Sequence, residues 1–121
     1  MNMTTTTRHV GSVTIVDVNG RIVREGSGSL RDLLSKLLAE GHTKIVVNLA
    51  GTSQVDTAGL AYLISALVSA RKQQGELMLL KPAKMVQEVI QLTKLDTVFH
   101  IIEDESAAVT SFSVNSAVAG H

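Results

Sequence analysis

Residues 44–60 read KIVVNLAGTSQVDTAGL, and this stretch decides the fold of the chain. Residues 45–49 form a short apolar run rich in β-branched side chains, which is typical of a buried strand. A loop over residues 50–55 follows, and Asp56 and Thr57 then open a long amphipathic segment. Because a Thr oxygen can accept a hydrogen bond from one of the first backbone N–H groups, this pair predicts a helix start. A hydroxyl at the positive end of a helix is also well placed for a phosphate.

The composition is that of one domain with an aliphatic core. The chain has 121 residues, of which 45% are hydrophobic, and it contains two Phe, one Tyr and no Trp. The absence of cysteine excludes disulfides, thiolate metal sites and cysteine nucleophiles. Eleven basic and eleven acidic residues give a formal charge of zero. Because this balance leaves no electrostatic footprint for nucleic acid or anionic lipid, we expect no direct binding of either.

The N-terminal sequence does not have the pattern of a secretory signal peptide. Residues 1–7 lack both the basic start and the apolar region of a secretory signal peptide. The longest apolar runs of the chain are too short to cross a bilayer. The sequence therefore predicts a soluble, cytoplasmic protein with no membrane partner.

Apolar spacing along the chain predicts alternating strands and helices. Residues 10–18 fit a hairpin or bulged strand around Gly11-Ser12, closed by Asn19-Gly20, and residues 21–23 can add a short extended piece. Leucines at helical spacing between residues 30 and 38 predict an amphipathic helix that ends at Gly41. Further strands are predicted at residues 44–49, 76–80 and 98–102, and further helices at residues 57–74, 85–92 and from residue 103.

This alternation favours an α/β fold with an initial β-hairpin followed by βαβαβα. Crossover connections predict a mixed, mostly parallel sheet of four to five strands with about four helices. We expect one domain over residues 8–113, disorder over residues 1–7 and a flexible tail over residues 114–121. Function in such folds usually lies in loops at the carboxyl ends of the parallel strands, and the Asp56-Thr57 connection is one of these loops.

The sequence contains no constellation of catalytic residues. The four histidines, His9, His42, His100 and His121, have no partner at the spacing of a metal site or a catalytic triad. Gly26 and Gly28 lack the strand–glycine–helix pattern of a phosphate-binding loop, and a flexible connector explains them better. We therefore predict a protein that is not an enzyme and that has no cofactor or metal.

Two side chains near the helix start allow more than one interpretation. A threonine that caps a helix needs no further function, and local sequence alone favours this role for Thr57 over a regulatory one. Tyr62 lies off the apolar stripe of its helix, near Ser65, Ala66 and Ser69. A helix face of small residues can dock a partner closely, but an ordinary exposed face explains Tyr62 equally well.

Residues 46–66, VVNLAGTSQVDTAGLAYLISA, resemble the signature of STAS domains, and specifically of bacterial anti-sigma factor antagonists. Members of that family typically have an apolar strand ending in Asn-Leu or Asp-Leu, a short loop and Asp-Ser-Ser/Thr-Gly-Leu entering a helix. The similarity continues through Gly75-Glu76-Leu77 and residues 92–99, LTKLDTVF, and covers about residues 10–112. The resemblance implies the STAS fold for nearly the whole chain.

The resemblance also implies a mechanism of partner switching. In that family, an anti-sigma factor with serine/threonine kinase activity phosphorylates the hydroxyl residue after the Asp, which here is Thr57 after Asp56. The unphosphorylated antagonist binds the anti-sigma factor and frees the sigma factor, and a phosphatase can reset the switch. Gly59 would let the partner's backbone approach, and Leu60 would anchor the helix in the core. The expected partner surface comprises Val23, Arg24, Asp56, Thr57, Ala58, Gly59 and Tyr62, on a monomer or weak dimer.

The sequence departs from the family pattern in three respects. The acceptor is Thr57 where the antagonists usually have Ser, and Ala58 provides no second hydroxyl. Val23 and Arg24 stand where the family usually has an acidic residue followed by a polar one, so the identity of the partner is less defined. Two alternatives remain open: a non-switching STAS scaffold within a larger assembly, and a module that binds a nucleotide or another small ligand.

Overall fold

The computed structural model describes residues 3–119 of the protein, and the side chains of residues 3–112. It confirms the predicted α/β fold with an initial β-hairpin. The strands are β1 (Met3–Val10), β2 (Val13–Ile22), β3 (Lys44–Asn48), β4 (Thr52–Val55), β5 (Glu76–Leu80) and β6 (His100–Ile102). The helices are α1 (Gly28–Ala39), α2 (Thr57–Lys72), α3 (Lys84–Leu92) and α4 (Glu105–Ala119), with a single 3₁₀ turn at Leu95–Thr97.

The described strands form one six-stranded sheet, one strand more than the upper limit of the prediction. Its order is β1-β2-β3-β5-β6, and β4 pairs with the end of β2 outside this path. β1 runs antiparallel to β2, and all other pairs are parallel. β4 was predicted as a loop because it is short and because Ser53 and Gln54, in its middle, are polar and exposed. It pairs with residues 20–22 of β2, and the register shifts between Gly20 and Arg21, so that Ser53 of β4 has no partner in the ladder.

Helices cover both faces of the sheet, and the two cores are of unequal size. The larger core lies under α1, α2 and α3, and the smaller one packs Ala108 and Phe112 of α4 against β2, β3 and β5. Leu60, Leu63 and Leu67 of α2 are buried in the larger core, as their spacing predicted. Because α2 follows β4 directly, packing of this apolar stripe fixes where the α2 N-terminus emerges from the sheet.

Both ends of the domain contain more regular structure than predicted. Residues 3–7, expected to be disordered, are part of β1 and pair with residues 16–20 of β2. Their β-branched threonines favour an extended backbone, and the ladder with β2 satisfies its hydrogen bonds. β2 continues through Asn19-Gly20 to Ile22, and α4 continues to Ala119, beyond the tail start predicted at residue 114. The predictions for residues 1, 2, 120 and 121 lie outside the described residues.

Candidate functional site

Asp56, and not Thr57, caps helix α2. The backbone of Asp56 is extended, with φ −120° and ψ −179°, and its Oδ1 accepts a hydrogen bond of 2.8 Å from the Gly59 N–H. The Asp56 carbonyl accepts the first helical hydrogen bond, from the Leu60 N–H at 3.0 Å. Thr57 is therefore the first residue inside the helix, and the interpretation of Thr57 as the cap is wrong. Its side chain is exposed and forms no hydrogen bond within the described residues.

The second carboxylate oxygen of Asp56 binds the loop that follows β2. The Arg24 N–H donates to Asp56 Oδ2 over 3.0 Å, which ties residues 23–25 to the start of α2. These backbone hydrogen bonds, from Arg24 first and from Gly59 second, stabilise the charged carboxylate and lower the pKa of Asp56. Asp56 is consequently a fixed negative charge at neutral pH, directly beside the exposed hydroxyl of Thr57.

Gly59 allows α2 to pack closely on β2. A Cβ at this position would lie 2.9 Å from both the carbonyl carbon and the Cγ2 atom of Ile22, and still closer to the Ile22 carbonyl oxygen. That oxygen also accepts a hydrogen bond from the Asp56 N–H over 3.3 Å, so the two backbones are joined at this point. Gly59 is buried, and the close approach expected from a partner's backbone is made here by the chain's own β2.

A surface pocket of about 300 Å³ lies beside Asp56. It brings Asp56 together with Val23 and Arg24, both of which the sequence indicated. Its other lining residues are Arg21, Glu25 and Gln54. Sequence reasoning did not name these three as site residues, and Gln54 belongs to the unpredicted strand β4. The short extended piece expected at residues 21–23 was the available signal for Arg21, which the structure places near the end of β2.

The wall of this pocket is held by a buried side chain. Ser27, 0% exposed, donates its hydroxyl hydrogen to the Val23 carbonyl, and its own carbonyl accepts the N–H groups of Leu30 and Arg31. Ser27 thus joins the loop to the first turn of α1. Together with the Arg24–Asp56 hydrogen bond, this contact places Val23 and Arg24 at a defined position relative to Thr57.

Tyr62 lies in a different depression. Its partly exposed ring lies under the Arg31 guanidinium, with 5.7 Å between Cζ and the ring centroid, a distance typical of a cation–π contact. A groove of about 300 Å³ between α1 and α2 contains both side chains, with the small residues Ser65 and Ser69 along α2. The structure therefore does not bring Tyr62 into the Asp56 pocket.

Neither a metal site nor a membrane span is found in the part of the chain that the structure describes. No three His, Cys, Asp or Glu side chains within it are arranged to hold a metal ion. None of the helices within residues 3–119 is long and apolar enough to cross a bilayer. The Asp56 pocket offers the carboxylates of Asp56 and Glu25 together with the cationic side chains of Arg21 and Arg24, and exposed Thr57 follows Asp56 at the start of α2.

Solved structures share this architecture. A Thermotoga maritima protein, assigned provisionally as an anti-sigma factor antagonist, has a TM-score of 0.85 at 24% identity, over 90% of this chain and 94% of its own. An anti-sigma factor antagonist from Mycobacterium paratuberculosis has a TM-score of 0.84 at 21% identity, over 93% and 95% of the two chains. At such identities the similarity shows the fold.

The anti-sigma factor antagonist SpoIIAA in its unphosphorylated form is also similar, with a TM-score of 0.77 at 19% identity. The match covers 88% of this chain and 93% of SpoIIAA, and SpoIIAA from Bacillus is also known in a phosphorylated form. The sequence model of the STAS domain matches residues 4–108, from the first strand to the last helix. The fold and this match together identify the chain as a member of the STAS domain family.

Proposed function

We propose that this protein is an anti-sigma factor antagonist that binds a kinase-type anti-sigma factor and is switched off by phosphorylation of Thr57. The observation that carries the proposal is the division of roles at the start of α2. Asp56 caps the helix, and Thr57 presents an exposed hydroxyl without a hydrogen bond in the described residues. The proposed protein binds and releases partners and performs no catalysis itself, and a phosphatase would restore the unphosphorylated form.

The structural relatives support this proposal without deciding it. Antagonists of anti-sigma factors are among the structures with the same fold, and one of them occurs in phosphorylated and unphosphorylated forms. Thr57 follows directly after the capping Asp56, as the phosphorylated residue does in the family motif that this sequence resembles.

A phosphate at Thr57 would change the charge of the surface strongly. It would add about −1.5 to −2 charge at neutral pH, immediately next to the carboxylate of Asp56. The Asp56 carboxylate already accepts the Gly59 N–H at the start of α2. The phosphate and this carboxylate would therefore be two anions stabilised by the same positive helix end. A partner that packs over Thr57 would therefore have to desolvate two adjacent anionic groups, and we expect its binding to weaken.

The surroundings of Thr57 define the rest of the proposed interface. Arg24 is exposed and Val23 is half-buried, and the Asp56 carboxylate holds their loop in place. The partner would thus meet a preformed surface on which Ala58, beside Thr57, leaves room for a close approach. Tyr62 lies further along α2, and the proposed partner would contact it by reaching into the groove between α1 and α2.

The test is phosphorylation and binding with anti-sigma factors of the kinase type. The purified protein is incubated with each candidate and ATP, and the modified residue is mapped by mass spectrometry. Binding of the wild type, Thr57→Ala and Thr57→Glu is then measured by titration calorimetry. We expect a phosphate on Thr57, binding by Thr57→Ala within about twofold of wild type, and at least about tenfold weaker binding by Thr57→Glu, equivalent to about 1.4 kcal/mol.

Two control variants make the result specific. Thr57→Ser keeps the hydroxyl and should still be phosphorylated. Thr110→Glu places the same new charge on the exposed face of α4, in the other helical layer, and should leave binding unchanged. Equal binding by Thr57→Ala and Thr57→Glu, or phosphorylation at another residue, would refute the switch.

A further inference from the structure

Strand β1 is a long edge of the sheet. It has eight residues, and within the described part of the chain it pairs only with β2. At the opposite edge, β6 has three residues, which is too short to offer an extended template. Natural sheets usually protect a long edge by a bulge, a proline or charged side chains, especially lysine.

β1 has neither a bulge nor a proline nor a lysine, and its one charged side chain is paired within the domain. Its pairing with β2 is continuous over all eight positions, from Met3 opposite Gly20 to Val10 opposite Val13. Its sequence, MTTTTRHV, contains neither Pro nor Lys. The single full charge, Arg8, is bonded to Asp17 at 2.6 Å and to Glu105 at 2.8 Å, so the charge is neutralised within the domain.

The hairpin geometry shows which backbone groups face outward. Val10 and Val13 flank a two-residue turn, so they form a hydrogen-bonded pair. In an antiparallel ladder the residues that bond to one neighbouring strand alternate with those that face away from it. Thr4, Thr6, Arg8 and Val10 therefore bond to β2. The N–H and C=O groups that face away belong to Met3, Thr5, Thr7 and His9, and no hydrogen bond in the described part of the chain reaches them.

We propose that β1 pairs in antiparallel orientation with β1 of a second copy of this chain, with Thr6 opposite Thr6. This register is self-complementary, as a two-fold dimer requires. It places Met3 opposite His9 and Thr5 opposite Thr7 in both directions. All four outward residues of each copy are used, which gives about eight hydrogen bonds between the copies.

The side chains favour this occupant and this register. The two-fold register places Arg8 opposite Thr4 of the second copy, so that no like charges meet directly. Threonine is β-branched, and Thr–Thr pairs across antiparallel strands are favourable. Because the side chains on both faces of β1 are mostly polar, the backbone provides most of the attraction. The dimer should therefore form at high concentration and dissociate on dilution.

The first test measures mass against concentration by analytical ultracentrifugation of the full chain. We expect the mass to rise from 12.9 kDa toward twice that value with increasing concentration. Thr7→Pro removes one outward N–H, a position at which an edge strand tolerates proline, and should keep the mass at 12.9 kDa throughout. Thr7→Ala removes the same side chain and keeps the N–H, so it should dimerise within about threefold of wild type.

Hydrogen exchange of the wild-type protein provides the second measurement, which needs no variant. The outward amides of Met3, Thr5, Thr7 and His9 should exchange at least about tenfold more slowly at high concentration than at low. The inward amides should show the same protection at both concentrations. A mass that stays at 12.9 kDa with unchanged exchange of the outward amides would overturn the proposal. So would a dimer that persists in Thr7→Pro, because it would use another surface.

Discussion

The substitution Gly59→Ala tests whether this glycine serves the fold or the partner. The structure places Gly59 in the first turn of α2 against the backbone of Ile22, where a Cβ would lie 2.9 Å from the carbonyl carbon. Real Cβ atoms essentially never approach another atom so closely. Because two of the opposing atoms, the carbonyl carbon and oxygen of Ile22, belong to the backbone of β2, no side-chain rotation can relieve the contact. Either α2 or β2 must shift.

The expected cost follows from three contributions. Overpacking in a well-packed region costs about 1–3 kcal/mol, and a contact with rigid backbone belongs at the upper end of that range. A shift of α2 also weakens the 3.3 Å hydrogen bond from the Asp56 N–H to the Ile22 carbonyl, at a cost of about 1 kcal/mol. Alanine recovers about 1 kcal/mol through its higher helix propensity. We expect Gly59→Ala to lower the free energy of unfolding by about 3 kcal/mol.

Urea denaturation followed by circular dichroism at neutral pH measures this loss. With a typical urea dependence of about 2 kcal/mol per M, the midpoint should fall by about 1.5 M. Gly28→Ala is the matched control, since it is also a glycine in the first turn of a helix. Its Cβ would meet only the end of the Arg31 side chain, at 3.7 Å, so its stability should be unchanged or slightly higher. Unfolding of Gly59→Ala within about 0.5 kcal/mol of wild type would refute the reasoning.

Two further predictions concern groups around the sheet. Asp56→Ala should lower the free energy of unfolding by about 1–2 kcal/mol in urea denaturation, because it removes the α2 cap. Asp56→Asn should lose less stability, because Asn is also a good cap. Equal stability of the wild type and both variants would contradict the capping role. Arg8→Ala should cost about 1 kcal/mol at pH 7, because Arg8 bonds two partly exposed carboxylates. Arg8 lowers the pKa of Asp17 and Glu105 in the folded protein, so their contribution is complete above about pH 4.5 and disappears as the pH falls through the lowered values. Denaturation of wild type and Arg8→Ala should therefore converge in acid, and a constant difference down to pH 2 would contradict this account.

The sequence was most informative where apolar periodicity is strong. The leucine stripes of α1 and α2 and the apolar runs of β3 and β5 were placed to within a few residues. Each of these elements buries a continuous apolar surface, and such a surface requires apolar residues at regular spacing or in a continuous run in the sequence. The mostly parallel sheet then followed from the alternation of strands and helices.

β1 and β4 were missed because their stability comes from pairing with β2 and not from burial of apolar side chains. β4 contributes exposed Ser53 and Gln54, and a four-residue polar segment next to a helix start has the composition of a loop. β1 contains four consecutive threonines, and their strand propensity was an available signal. The terminal position and the polarity of residues 1–7 favoured disorder instead. The pairing of residues 3–7 with β2, which stabilises them, cannot be seen in their own sequence.

The choice between Asp56 and Thr57 as the cap also depended on tertiary structure. Both residue types are good caps, so local sequence could not decide which of the two ends the extended backbone. The pairing of β4 with β2 keeps the chain extended through Val55, and the Ile22 carbonyl then accepts the Asp56 N–H. Asp56 is thereby held at the last non-helical position, and Thr57 begins the helix.

This assignment determines what modification of Thr57 can do to the protein. If Thr57 were the cap, a phosphate on its oxygen would disturb the hydrogen bond that begins α2, and the domain would lose stability on modification. Because Asp56 provides the cap, we expect α2 to keep its first turn, and a phosphate on Thr57 would change only the surface charge. The proposed switch therefore predicts equal unfolding free energies for the wild type and Thr57→Glu, within about 0.5 kcal/mol, even if binding falls tenfold. Urea denaturation of both proteins tests this separation, and a loss above about 1 kcal/mol in Thr57→Glu would show that Thr57 contributes to the helix start after all.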